Sequence, residues 1–191
     1  TTADDAWPAV ADRIAALIRQ LSPAEPVVVV GHDIGGALAW DLAARHPALV
    51  ERLIVLNAPP AAILARQIER DPAQRAASAY RAQLATPGIE SALAADDHAA
   101  LSARVFGSAA GAFSEADRRA YRTAWSRPGV LSGMLGYYRA WPEAVATPAR
   151  VGAPTLVIWG EDDPFLLTGC LDGIEAMARE VEVLRLPGAS H

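Results

Sequence analysis

The sequence predicts an α/β fold built on a mostly parallel sheet. Three observations carry that expectation. Strand-like and helix-like segments alternate along the chain, the strand-like runs are continuously apolar, and glycines stand where one of those runs turns into a helix. With 191 residues, 52% of them hydrophobic and 20% charged, the chain is long enough to bury one sizeable core.

The elements follow in order. In "DDAWPAVADRIAALIRQL" Val10, Ile14, Leu17, Ile18 and Leu21 recur at helical spacing and Pro8 suits a first turn, so a helix is expected over about 5–21. "SPAEP" breaks it. "VVVV" at 27–30 then reads as a strand buried on both faces of a parallel sheet. "GGALAWDLAARHP" is a helix stopped before Pro47, and "ERLIVLNAPP" holds a second buried strand over 52–56. Near the end, "APTLVIWG" gives a third strand, "GCLDGIEAMARE" a helix and "VEVLRLPG" a fourth strand. Between 60 and 148 the character changes to Ala- and Arg-rich helical pieces punctuated by "TPG", "FGSAAG" and "SRPG", which predicts a helical insertion. Within it, Ser114 and Asp117 fit a capping box opening "EADRRAYRTAW".

Composition narrows the function classes. A net charge of −5 and no basic run argue against nucleic-acid binding, and no apolar run is long enough for a membrane helix, so the expected location is cytoplasmic. Cys170 is alone, which excludes an internal disulfide and leaves a small packed residue. All basic side chains are Arg, a coding bias rather than a functional choice.

The chemistry concentrates at "VVVVGHDIGGALAW". A reactive side chain on a sharp turn from strand to helix needs small neighbours, and Gly31, Gly35 and Gly36 supply them. The tip is Asp33. A carboxylate is ionised at neutral pH and can attack a saturated carbon without a base to activate it. The resulting ester needs an activated water, for which the chain offers His191 in "LPGASH" and an orienting acid in "WGEDDPF".

Together "GHDIGG", "LNAPP", "GMLGYYRAW", "PTLVIWGEDDPFL" and "LRLPGASH" resemble the epoxide hydrolase branch of the α/β-hydrolase fold, which also contains haloalkane and fluoroacetate dehalogenases. The resemblance covers nearly the whole chain. It implies the later part of that fold's sheet, in 1–59 and 149–191, with a helical lid inserted at 60–148. It assigns Asp33 as nucleophile, Asp163 rather than Asp162 as orienting acid, His191 as base, and the backbone N–H of Ile34 as an oxyanion donor. Tyr138 matches the lid tyrosine that donates to the epoxide oxygen, with Tyr80 a candidate second donor. Tyr137 and Tyr138 are adjacent, so at most one faces substrate. The implied partner is a small epoxide, with no cofactor or metal; the oligomeric state is open. The alternative is a dehalogenase, which the resemblance disfavours because Ile34 stands where those enzymes carry Trp or Arg.

Simpler roles compete at several positions. Asp33 is also a good helix cap, and Asp162 and Asp163 suit a turn before Pro164. His32 flanks the nucleophile, His46 ends a helix, His98 reads as lid surface, and the five tryptophans as packing. The family pattern also implies four strands before the valine strand, with an "HGxP" loop, and a final helix after "SH". The expectation is therefore a piece of a longer enzyme, poorly soluble or inactive alone, with a truncated hydrolase that only binds ligands as the other possibility.

Overall fold

The computed structural model describes residues 7–141 and 150–191, apart from the side chains of 108–110. The chain divides into two compact units, Thr1–Ala79 with Trp141–His191 and, separately, Tyr80–Ala140.

The first unit is built on four strands, β1 (Val27–His32), β2 (Val50–Leu56), β3 (Thr155–Gly160) and β4 (Val181–Leu186), in the order β1-β2-β3-β4. Every pairing is parallel. Helices α1 (Trp7–Leu21) and α2 (Asp33–Arg45) flank β1 in the chain. The expected first two residues of α1, Asp5 and Ala6, lie outside the described residues. Two further helices, α3 (Ala61–Arg70) and α4 (Pro72–Ala77), follow β2.

One face of the sheet holds the core. Leu53, Val55, Val157 and Trp159 are fully buried there against Ala39, Trp40 and Ala43 of α2, and Val29 packs at the margin. Trp40 also donates from Nε1 to the Ala58 carbonyl at 3.1 Å, which ties α2 to the end of β2. The other face departs from expectation. Val28 and Val30 are 48% and 62% exposed, and Leu184 and Leu186 are also exposed, so the valine strand is buried on one face only. Residues two apart in a strand share a face, and among the described residues no element covers this one.

A second correction concerns "GCLDGIEAMARE". It forms two short 3₁₀ turns, Thr168–Leu171 and Ile174–Ala176, rather than an α-helix. Gly173 between them takes φ 81°, a left-handed conformation that ends any continuing helix. No helix among the described residues is long and apolar enough to cross a membrane.

The second unit is helical: α5 (Tyr80–Ala85), α6 (Ile89–Phe106), α7 (Glu115–Trp125) and α8 (Val130–Arg139). Leu84, Leu93, Leu101, Phe106, Trp125, Leu131 and Leu135 form its own core. The capping box opens α7: Asp117 N–H donates to Ser114 Oγ at 3.2 Å, and Ser114 N–H donates to Asp117 Oδ2 at 2.9 Å. Helix α6 is interrupted at Asp96, Asp97 and His98, which take φ values of 50°, 53° and 62°. That interruption turns His98 inward against Trp125, so it is buried rather than on the surface.

Candidate active site

The site begins with the turn from β1 into α2. Asp33 takes φ 51°, a left-handed conformation, and His32 before it is extended and lends no side-chain cap to α2. The turn is close because glycines allow it. A Cβ on Gly31 would meet the Gly35 carbonyl oxygen at 2.6 Å, and one on Gly36 would meet Ala58 Cβ at 2.5 Å. Gly35 is different: nothing lies within 4 Å of its Cβ position, so packing does not demand its small size.

The turn leaves the Asp33 carboxylate 37% exposed at the start of α2, whose first N–H groups have no partner within the helix. The Ile34 N–H is one of these, which suits it to a developing oxyanion. The Ile34 side chain points elsewhere and packs beside Trp7, Ala37 and Leu38.

Asp163 follows β3 and its carboxyl group is 1% exposed. One oxygen, Oδ1, accepts from the N–H groups of Phe165 at 2.8 Å and Leu166 at 3.0 Å, closing the turn before Pro164 and Phe165. The other, Oδ2, accepts from His191 Nδ1 at 2.6 Å. One carboxylate therefore both closes the turn and holds the imidazole, with a different oxygen for each. Asp162 instead uses its backbone N–H, donating to the Ala189 carbonyl at 2.9 Å, which holds the segment before His191 in place. Close packing here is strict, since a Cβ on Gly160 would meet the Ser190 carbonyl oxygen at 2.3 Å.

His191 thus presents Nδ1 to Asp163 and Nε2 toward Asp33, 3.9 Å from Oδ1. His32 donates from Nε2 to the His191 backbone oxygen at 2.7 Å, with the two rings 4.5 Å apart. Phe165 meets the His191 ring edge-on at 5.4 Å.

The charges follow from this geometry. Burial alone would lower the His191 pKa, but the hydrogen bond to Asp163 and the nearby Asp33 carboxylate outweigh it and push it up to about 9. Burial likewise works to raise the Asp163 pKa, and the bonds from His191 and from the Phe165 and Leu166 N–H groups hold it below the usual carboxylate value. The signs give a pH dependence for stability. The His191 contribution is complete below its ordinary pKa of 6.5 and is lost as pH rises through about 9. The Asp163 contribution is present above 3.8 and is lost as pH falls through its lowered pKa. Thermal melts should therefore show a decline in Tm between about pH 7 and 9 that shrinks in Asp163→Asn, where only the Asp33 contribution remains.

Sequence reasoning missed one member of this cluster. Asn57, just past β2 at φ 39°, is buried and donates from Nδ2 to Asp163 Oδ2 at 2.7 Å and to the Gly160 carbonyl at 3.1 Å. Its Oδ1 accepts from the Gly160 N–H at 2.9 Å. The one available signal was an Asn beside a strand end, where left-handed backbone favours Asn over other residues. Asn57→Ala leaves the buried Gly160 groups unpaired, and a loss of about 2 kcal/mol or more in unfolding free energy is expected in a urea titration.

In the second unit, Tyr80 of α5 and Tyr138 of α8 stand together, rings 6.1 Å apart at 74°. Tyr137 is exposed by contrast. Arg104 lies over the Tyr80 ring at 5.6 Å. Arg139 pairs with Glu90 at 2.8 Å, joining α8 to α6 and holding the Glu90 carboxyl down at about 2. Cys170 is buried, and burial pushes its thiol up to about 12, which makes it inert packing.

At the end of a parallel sheet, a carboxylate on a strand-to-helix turn has a histidine beside it and a second carboxylate behind that histidine, an arrangement suited to nucleophilic chemistry. Residues 1–191 match the model of the alpha/beta hydrolase family, and the chain belongs to that family. It is 35% identical over 159 residues to AB hydrolase superfamily protein YfhM of Bacillus subtilis, covering 81% of this chain and 55% of that protein. Mouse epoxide hydrolase 4 is 32% identical over 147 residues, covering 73% of this chain and 41% of that protein. The chain spans about half the length of these curated relatives. Among solved structures, a Bacillus megaterium epoxide hydrolase in complex with an inhibitor superposes with a TM-score of 0.89 at 26% identity, covering 98% of this chain and 70% of that one. These similarities place the chain in the epoxide hydrolase branch of the family.

Proposed function

We propose that the polypeptide carrying this chain hydrolyses epoxides to vicinal diols through an ester on Asp33. The observation that carries the reading is the carboxylate, rather than a hydroxyl, at the turn, with His191 Nε2 beside it and Asp163 behind. The resemblance to epoxide hydrolases supports the substrate class, and the adjacent Tyr80 and Tyr138 supply two phenolic donors of the kind an epoxide oxygen needs.

In the first step an Asp33 oxygen bonds to a ring carbon, the ring C–O bond breaks, and the departing oxygen takes a proton from Tyr138 or Tyr80. In the second, His191 Nε2 takes a proton from a water whose oxygen attacks the ester carbonyl, with the Ile34 N–H on the oxyanion. Collapse breaks the acyl C–O bond, His191 returns its proton to the diol oxygen, and the Asp33 carboxyl group left behind ionises, its proton replacing through solvent the one the tyrosine gave up. Net, one water is added.

The electrostatics fit this order. The Asp33 charge helps hold His191 protonated, and esterification removes that charge, so the imidazole sheds its proton more readily and is free to accept one from water once the ester exists. The experiment is a panel of aryl and alkyl epoxides beside haloalkanes and haloacids. Diol from epoxides without halide release is the expected result; halide release without diol would make the protein a dehalogenase instead.

A further inference from the structure

We infer that Gln74 is a positioning residue for the Asp163–His191 pair, acting through the backbone of residues 165–167; the inference rests on the roles proposed above for that pair. Gln74 lies on α4, yet its side chain is directed at the loop that follows β3. Its residue is 1% exposed and its amide is fully engaged. Nε2 donates to the Phe165 carbonyl at 2.8 Å and to Ser78 Oγ at 2.9 Å. Oε1 accepts from the Leu167 N–H at 2.9 Å and from Cys170 Sγ at 3.3 Å.

The amide therefore grips a carbonyl and an N–H on either side of Leu166, as a neighbouring strand would. The gripped segment is the one that fixes the acid, because the Phe165 and Leu166 N–H groups are the two donors to Asp163 Oδ1. With Oδ1 held, Oδ2 is left facing His191 Nδ1 at 2.6 Å. The same segment carries the Phe165 ring that meets the imidazole edge-on. Releasing the segment loosens both the carboxylate's orientation and one wall of the histidine's site. A buried Gln that only filled space would not need both of its polar atoms aimed at this one loop.

The test is an NMR titration of the His191 imidazole in the polypeptide carrying this chain, with three variants beside the wild type. Gln74→Met keeps the length of the side chain and removes the grip, and the His191 pKa should fall by about one unit or more toward its ordinary value. Ser78→Ala removes a Gln74 partner on its own helix side rather than in the loop, and Leu64→Ala destabilises the same unit through a cavity; both should leave the titration where it is. In single-turnover kinetics Gln74→Met should slow ester hydrolysis by roughly tenfold or more while ester formation, which does not use Asp163, keeps its rate. Should Gln74→Met fail to fold, Gln74→Asn, which keeps the amide uncharged but shortens its reach to the loop, should shift the titration in the same direction. An unmoved His191 pKa in the folded Gln74 variant, or an equal shift in Leu64→Ala, would overturn the inference. The titration is read without substrate, so a wild-type protein that forms no Asp33 ester would sink the proposed function separately.

Discussion

Asp33→Asn should lower epoxide turnover by about 10⁴-fold or more and leave no ester at all. The substitution is nearly isosteric, and Asn tolerates the left-handed backbone that position 33 adopts, so the turn itself should survive. What is removed is the nucleophilic charge. The same variant carries a second readout that does not depend on substrate. Because Asp33 stands 3.9 Å from His191 Nε2 and helps raise its pKa, the imidazole should titrate lower in Asp33→Asn than in the wild type. Lost turnover with an unchanged His191 titration would mean that the two side chains do not sense each other, contrary to the geometry.

His191→Ala should separate the two chemical steps. Steady-state turnover is expected to fall by about 10²–10⁴-fold, the usual worth of a positioned general base, while the first epoxide is consumed at a rate close to that of the wild type. The progress curve should show a burst equal to the enzyme concentration followed by near silence. Equal slowing of both steps would instead place His191 in ring opening, and the role assigned to it above would be wrong.

The parts of this molecule that were legible in its sequence are those set by local rules. The glycines around Asp33 announce a close approach, and the structure shows why at Gly31 and Gly36, though Gly35 turned out to face open space. The capping box at Ser114 was readable because it is closed within four residues, Ser114 to Asp117. The valine strand was misread in one respect: a continuous apolar run signals two faces that favour burial, while Val28 and Val30 face no described element. The helix expected at "GCLDGIEAMARE" failed because its apolar spacing hid the Asp172–Gly173 break, where the backbone turns left-handed.

The candidate site was half legible. Asp33, Asp163 and His191 could be placed because each sits at the end of a strand or in a recognisable context, and the structure brings these three together. Asn57 and Gln74 could not, since Asn57 reaches Asp163 across 106 residues and Gln74 reaches Leu167 across 93. Nothing local distinguishes such a Gln from a surface residue, and an Asn beside a strand end signals a turn but not the partner it reaches. His98 was misplaced for a similar reason: its burial depends on a left-handed interruption of α6 that no helix-breaking residue marks in the sequence.

The central claim is the covalent ester on Asp33, and mass spectrometry of His191→Ala after single turnover with an epoxide tests it most directly. Trypsin releases Asp33 in the peptide 20–45, since Arg19 and Arg45 flank it. That peptide should gain the full mass of the epoxide, because ring opening expels nothing. An unmodified 20–45 peptide after the epoxide has been converted, or an adduct mapped to a different peptide, would contradict the account.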